Sequence, residues 1–304
     1  MRRIGGACMK PPVFGYAAPR SAEEALALLS DLGCDGKVLA GGQSLIPLLS
    51  MRLTAPHTLV DINRIPGLAD IAIVEDGSVV VGALVRHAEL LADAPAYAAL
   101  PLLRRATSNV AHPAIRNRGT TCGSIAHADP SGEMTAILAL TGGSVQIATA
   151  GAENRDVAAS EFFLGPLESC LGPGELAVSV RFGAAEPRSG SAFLELARRR
   201  GDYAMCGAAV MVTVDEDETV TGVRAAYLSV GPVPAVHDLT AAVAGQHVGS
   251  ADWGAAGALA ATLVEPDGDL HASSDYRRRL VAVLTERALP QAAAEASSRS
   301  QEAA

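Results

Sequence analysis

The run Val38-Leu39-Ala40-Gly41-Gly42-Gln43-Ser44-Leu45 and the later run Arg116-Asn117-Arg118-Gly119-Thr120-Thr121-Cys122-Gly123-Ser124 decide the reading of this chain. In the first, Val38-Leu39-Ala40 reads as a short buried strand. Gly41-Gly42 turns it sharply into a helical turn over residues 45–51. A strand, a glycine turn and a helix start in that order present backbone N–H groups to an anion. Missing side chains let a phosphate approach closely, and the Ser44 hydroxyl adds a donor. Alone, the segment equally describes a plain strand-to-helix turn. It lacks the Gly-Lys-Ser/Thr of a Walker loop and the spacing of a GxGxxG turn.

The second run changes the balance. It combines glycine, three hydroxyls and two arginines, and together the two segments suggest loops closing on one diphosphate. Asp129 and Glu133 follow, where carboxylates can accept hydrogen bonds from polyol hydroxyls. A third segment, Arg198-Arg199-Arg200-Gly201-Asp202-Tyr203-Ala204, offers further positive charge and an aromatic ring. His112 and His127 read as hydrogen-bonded histidines inside the fold, and no three-histidine or compact carboxylate set points to a metal.

Composition sets the outer limits. The 304 residues can bury more than one core, and 49% hydrophobic with 19% charged residues fits a globular chain. Aromatics are only 4%, so packing falls to Ala, Val and Leu. A formal charge of −9 argues against broad contact with nucleic-acid phosphates. The start lacks a secretory apolar core, and no apolar run is long enough to cross a bilayer. Cysteines at 8, 34, 122, 170 and 206 are too dispersed for a disulfide framework, a zinc site or an iron–sulfur cluster. The expected setting is reducing and cytoplasmic, and electrons passing through this chain need a carrier other than its own cysteines.

Along the chain, Ser21-Ala22-Glu23-Glu24 predicts a capping box before a helix ending at Gly33. Strands are expected at 59–62, 71–74, 79–81, 145–149 and 175–182, with a turn at Asp76-Gly77. Residues 88–103 read as helix broken at Pro95 and Pro101. Residues 104–131 read as a non-periodic, ligand-facing stretch, and 134–140 as a helix. A boundary falls within residues 183–190. Beyond it come strands at 193–197, 208–214 and 220–230, then helices at 239–244, 253–260 and 276–289. Residues 290–304, polar and alanine-rich, read as a mobile tail.

These segments, taken in order and combination, resemble the FAD-binding, or medium, subunit of the molybdenum hydroxylases. That family includes the carbon monoxide dehydrogenase medium subunit and the flavin domain of xanthine dehydrogenase. The likeness runs from about Pro12 to about Leu289 and rests on residues 40–53, 59–62, 112–133 and 198–204. It implies an α+β architecture with a two-part FAD-binding domain of the PCMH, vanillyl-alcohol-oxidase-like type over residues 8–182. The two subdomains would span about 8–65 and 66–182. A smaller α+β flavoprotein C-terminal domain would follow over 188–289.

Carried over residue by residue, the resemblance places Val38, Leu39, Ala40, Gly41, Gly42, Gln43, Ser44 and Leu45 on one side of the FAD diphosphate. Thr120, Thr121, Cys122, Gly123 and Ser124 would line the other side. Glu133 and the neighbouring Asp129 would meet the ribityl chain, Leu176 would lie near the flavin, and Tyr203 would cover one face of its ring. Cys122 stands where the family often has glycine, and Ser124 where it commonly has asparagine. The resemblance further implies partners: a large molybdenum–pterin subunit that oxidises the substrate and a small subunit with two [2Fe–2S] clusters. The three would form a heterotrimer or its dimer, passing electrons through FAD on this chain to an external acceptor. No residue of this chain would be catalytic towards the substrate or bind a metal. The assembly would be cytoplasmic, with peripheral attachment to the inner membrane as a variant. A stand-alone FAD oxidoreductase and a non-catalytic assembly subunit are the alternatives.

Overall fold

The computed structural model describes residues 10–302. Cys8 and the expected start of the first domain lie outside the described residues.

The chain begins with β1 (Gly15–Ala17), α1 (Ala22–Leu32), β2 (Gly36–Leu39), α2 (Leu45–Ser50) and β3 (Thr58–Asp61). The three strands form a parallel sheet in the order β1-β3-β2. Parallel neighbours require crossovers, and helices α1 and α2 lie in them. The Ser21 hydroxyl caps α1 by accepting the Glu24 N–H at 3.2 Å. The Glu24 carboxylate accepts from the Arg20 N–H at 2.8 Å, one residue before the partner of an ideal capping box. Gly33, at φ 53°, ends the helix. Ala25, Leu26 and Leu29 form its buried stripe. The register sets Leu39, the last residue of β2, beside Asp61, the last of β3. The Gly41-Gly42 turn therefore leaves the sheet next to the Asp61-Ile62-Asn63 turn.

The second part runs β4 (Ile71–Ile73), β5 (Val79–Gly82), α3 (His87–Ala92), α4 (Ala94–Ala99), α5 (Pro101–Thr107), α6 (Pro113–Arg116), α7 (Thr121–His127) and α8 (Glu133–Leu140). It continues with β6 (Ser144–Thr149), β7 (Arg155–Ala158), α9 (Ala159–Phe162), β8 (Phe163–Gly165), β9 (Glu168–Ser169) and β10 (Glu175–Phe182). An antiparallel sheet has the order β4-β5-β10-β6-β7, and β8 pairs with β9. Proline in the first turn of both α4 and α5 divides the expected broken helix as its sequence indicated. The stretch 104–131 is more regular than expected. It holds the end of α5, all of α6 and α7, and the second glycine segment is the cap and first turn of α7 rather than a loop. Helix α8 buries Met134, Ala136, Ile137, Leu138 and Leu140 at the centre of the first core.

The last part comprises β11 (Ser189–Ala197), β12 (Ala204–Val214), β13 (Val220–Leu228), β14 (Val236–Asp238), α10 (Trp253–Thr262) and α11 (Ser274–Glu302). Its antiparallel sheet has the order β11-β12-β13-β14. The pleat sends alternate side chains to opposite faces. Ala208, Val210 and Val212 pack with Val281, Ala288 and Leu289 of α11. On the other face, Phe193, Ala209, Met211, Ala226 and Leu228 join the core of the first domain.

Two expectations are corrected here. The helix expected at 239–244 is only a single 3-10 turn over Thr240–Ala242, directly after β14. The Asp238 carboxylate accepts the Thr240 N–H at 2.9 Å, and the Thr240 hydroxyl accepts from the Val223 N–H at 2.9 Å, tying the segment to β13. The expected tail after 289 is helix through Glu302. Leu289, Ala292, Ala293, Ala296 and Ser300 make a buried stripe at helical spacing. Gly190 lets α11 lie directly on β11, because a side-chain carbon there would collide with the Ala292 carbonyl oxygen and the Ala296 amide. Pro290 stands inside the helix without ending it. Among the described residues no helix is long and apolar enough to cross a membrane.

Candidate functional site

A cavity of about 440 Å³ opens beside the end of β2, lined by Leu39, Ala40, Gly41, Gly42, Gln43, Ile46, Pro47, Asp61, Asn63 and Arg118. Five of the eight residues expected from the first segment face it, whereas Val38, Ser44 and Leu45 do not line it. Gly42 has φ 73°, the left-handed region that glycine enters without steric cost. Gly41 has a different reason to be glycine. A side-chain carbon there would lie 2.7 Å from the Gly119 Cα, 2.9 Å from the Thr120 nitrogen and closer still to the Arg118 carbonyl oxygen. The two segments thus touch, backbone against backbone. Among the described residues, the amides of Gly41 to Ser44 donate to no other backbone group.

The second segment is held more firmly. Thr121 N–H donates to the Val85 carbonyl at 3.1 Å and His87 N–H to the Gly119 carbonyl at 3.0 Å, making a short antiparallel bridge. The Thr120 hydroxyl accepts the Gly123 N–H at 3.1 Å, capping α7. His87 is buried, with its Nδ1 3.2 Å from the Thr121 hydroxyl. Burial, and then the charge of Arg116, push His87 down to about 4, so its ring is neutral at physiological pH. Cys122 and Leu176 do not reach the cavity. Cys122 is 2% exposed, its thiol directed at the Ala177 carbonyl at 3.7 Å, and Leu176 is 3% exposed in the same core. Burial pushes the Cys122 thiol up to about 12, leaving it protonated and unreactive. Ser124, half-buried, follows in α7 with its N–H bonded to the Thr120 carbonyl at 3.0 Å.

Helix α7 leads from this cradle to a second cluster about 10 Å further on, at 1.5 Å of rise per residue. Its C-terminal cap Ala128 is left-handed at φ 54°. The Asp129 carboxylate then accepts the Ser131 N–H at 2.8 Å, and Glu133 opens α8. Tyr203 comes from the β11–β12 connection and is 73% exposed. Partial burial, then the carboxylates of Asp129 and Glu133, raise its hydroxyl above the ordinary value. Burial first, with Glu195 and Asp129 adding to it and Arg116 opposing, pushes Glu133 up to about 8. His127 is lowered by burial; Asp129 opposes that shift and Lys37 reinforces it. His112, expected inside the fold, is exposed and lies against Gly201.

Backbone strain gathers at the same end. Ala128, Leu167 and Ser229 all have left-handed backbones, with φ of 54°, 61° and 56°. Leu167 N–H donates to the Ala128 carbonyl at 2.9 Å, and Ser229 N–H to the Pro130 carbonyl at 3.0 Å. Such costs persist where surrounding contacts over-determine them, and functional sites collect them.

Sequence reading missed the polar frame of the cradle. Tyr16 donates to the Asp61 carboxylate, and Asn63 Nδ2 donates both to that carboxylate and, at 2.9 Å, to the Ala40 carbonyl. Burial opposes the charge on Asp61, yet the bonds from Tyr16 and Asn63 outweigh it and hold the carboxyl below its usual value. Arg118 brings positive charge to the cavity wall. The available signal was positional: Asp61 ends and Asn63 follows a strand parallel to β2, at the carboxyl end of both strands.

The arrangement suits a group with a diphosphate at one end. Partnerless glycine-turn amides, an arginine and a closed glycine contact form the cradle, and hydrogen-bonding carboxyls with a ring lie at the far end. Among the described residues no group of three or more His, Cys, Asp or Glu side chains could hold a metal ion.

Residues 12–184 match the family described as the FAD binding domain in molybdopterin dehydrogenase, and residues 191–292 the CO dehydrogenase flavoprotein C-terminal domain. The chain is 40% identical to the 6-hydroxypseudooxynicotine dehydrogenase complex subunit alpha of Paenarthrobacter nicotinovorans, covering 93% of this chain and 96% of that one. Quinoline 2-oxidoreductase from Pseudomonas putida 86 superposes with a TM-score of 0.87 at 34% identity, covering 94% and 99% of the two chains. Carbon monoxide dehydrogenase from Hydrogenophaga pseudoflava gives 0.86 at 36% identity, covering 93% and 98%. The chain belongs to the FAD-binding medium subunits of the molybdenum hydroxylase family, with the family's two-domain α+β architecture.

Proposed function

We propose that this chain is the electron-transfer subunit of a three-subunit assembly, working with a large molybdenum–pterin subunit and a small subunit that carries two [2Fe–2S] clusters. The observation that carries the reading is the closed contact of Gly41 with residues 118–120 beside unpaired amides. The amides of Gly41 to Ser44 would hold the FAD diphosphate, and the Arg118 guanidinium would offset its charge. Asp129 and Glu133 would bond the ribityl hydroxyls, and Tyr203 would shield one face of the ring from water. Leu176 and Cys122 would support that site from behind. Bound there, FAD supplies a carrier that handles electrons singly or in pairs. This chain needs no residue that touches the oxidised substrate. The relatives are named for 6-hydroxypseudooxynicotine, quinoline and carbon monoxide. Chains this similar occur in proteins named for different substrates, which supports assigning the choice of substrate to the large subunit. The assembly works in the cytoplasm and delivers electrons to an external acceptor.

Native mass spectrometry of the endogenous protein tests this, with an absorbance spectrum and metal analysis on the same sample. The expected result is a three-chain complex, or its dimer, containing FAD, molybdenum and iron. FAD with turnover on this chain alone would establish a stand-alone oxidoreductase instead. Assembly without FAD would make it a structural subunit.

A further inference from the structure

The glycine segments explain which atoms face the cradle, but other residues hold its two sides at a fixed separation. Asn63 belongs to the first side, because its Nδ2 donates to the Ala40 carbonyl at 2.9 Å. A trans peptide unit is planar, with its N–H opposite its C=O. Bonding the Ala40 carbonyl therefore also fixes the direction of the Gly41 N–H, which has no backbone partner among the described residues. Arg86 belongs to the second side. It sits between Val85 and His87, whose main chains are bonded to Thr121 and Gly119. Its Nη1 donates to the Arg118 carbonyl at 2.6 Å and its Nη2 to the Asn63 side-chain oxygen at 2.6 Å.

We infer that Arg86 is a positioning residue: its fork joins the Arg118 carbonyl to Asn63 and so sets the spacing of the two nucleotide-binding segments before the cofactor arrives. This rests on the reading that the cradle takes FAD. Two physical effects follow from the bonds. The Arg118 carbonyl oxygen is the atom that a side-chain carbon at Gly41 would meet first, so it lies against the glycine turn. Left bare, it would set negative partial charge beside a diphosphate held there. The guanidinium satisfies that oxygen and puts a positive charge behind it. The fork also spares FAD the entropic cost of ordering the two segments as it binds. An arginine reaches two acceptors in different directions from two nitrogens, which the single nitrogen of a lysine does poorly.

The test removes FAD from the purified full-length protein and re-titrates it by flavin fluorescence, alongside thermal melts of the FAD-free form. Arg86→Met is expected to weaken FAD binding by about tenfold to a hundredfold, as for lost hydrogen bonds to a charged group. Arg86→Lys should recover part of that loss. Asn63→Ala should cost affinity in the wild-type background and clearly less once Arg86 is Met, because the bridge is then already broken and only the bond to the Ala40 carbonyl is left to lose. Should Arg86→Met fail to fold, Arg86→Lys and Asn63→Ala carry the comparison. FAD affinity unchanged in folded Arg86→Met, or in both of the other variants, would overturn the inference while leaving the cradle intact. A folded wild type that takes up no FAD would overturn the cradle and the inference together.

Discussion

Gly41 shows what a single residue decides in this chain. Its neighbours across the cradle are main-chain atoms of residues 118–120, which cannot swing aside as a flexible side chain would. Gly41→Val is expected to force the segments apart, abolish FAD retention and cost about 1–3 kcal/mol of stability through overpacking. Gly222→Ala is the control, since its added carbon would meet the Thr213 side chain at an ordinary 3.6 Å. The check is the ratio of flavin to protein absorbance after gel filtration, with denaturant melts of both variants. Full FAD occupancy in Gly41→Val would contradict the placement. Gly41 and Gly42 were legible in the sequence because a missing side chain at a strand end has few physical uses. Arg86, Asn63 and Asp61 were not, because their roles exist only once two separate turns and a strand meet. Nor could the sequence reveal that Cys122 and Leu176 face a core, since their burial comes from the packing of α7 on β10.

Elements were legible where pattern and punctuation agreed, as in α1 with its serine cap and closing glycine, or α4 and α5 with their prolines. Helix α7 hid because Thr121, Cys122 and Gly123 are poor helix formers, and its cap bond and left-handed terminus compensate. The end of α11 hid because alanine makes a faint apolar stripe, and the strand glycine that accepts it, Gly190, is far from Ala292 and Ala296 in sequence. This extension also joins the two domains. Glu295 accepts the Ser191 N–H at 2.8 Å and pairs with Arg105 of α5 at 2.6 Å, while Arg105 also bonds the Ser191 carbonyl. Glu295→Ala removes the counter-charge of Arg105 and leaves the Ser191 amide without its acceptor. The pair is only partly buried, so the expected cost is about 1–3 kcal/mol, between a surface pair and a buried one. Urea unfolding measures it, with the exposed Gln291→Ala as the neutral reference. Equal stability of the two variants would mean that α11 ends functionally before residue 290.

At the scale of the molecule, the seam between the domains is an apolar contact containing carboxyls. Glu195 shares its face of β11 with Phe193, which packs into the first core, and across the strands it meets Gly207, where no side chain intervenes. Burial pushes Glu195 up to about 7. Glu133, from the first domain, is raised to about 8 by burial and then by Glu195 and Asp129. Both values lie above the ordinary glutamate value of 4.5. Between that value and the raised ones, the folded protein holds protons that the unfolded chain has released, so stability must fall as pH rises through the interval. Below it both states are protonated, and the seam carries no charge penalty. His87, held neutral down to about 4, pulls the other way below its ordinary 6.5, but over a shorter interval than the two glutamates together. The FAD-free protein is therefore expected to melt higher at about pH 5 than at about pH 8.5. Glu133→Gln tests the assignment, because glutamine keeps the shape and never ionises. It should melt near the wild type at the lower pH and above it at the higher, so the gap between the two curves opens with pH. Parallel curves would mean that Glu133 ionises in the folded protein at its ordinary value. A gap that opens would show that the packing of the two domains holds a carboxyl proton at neutral pH, close to Tyr203 and Asp129.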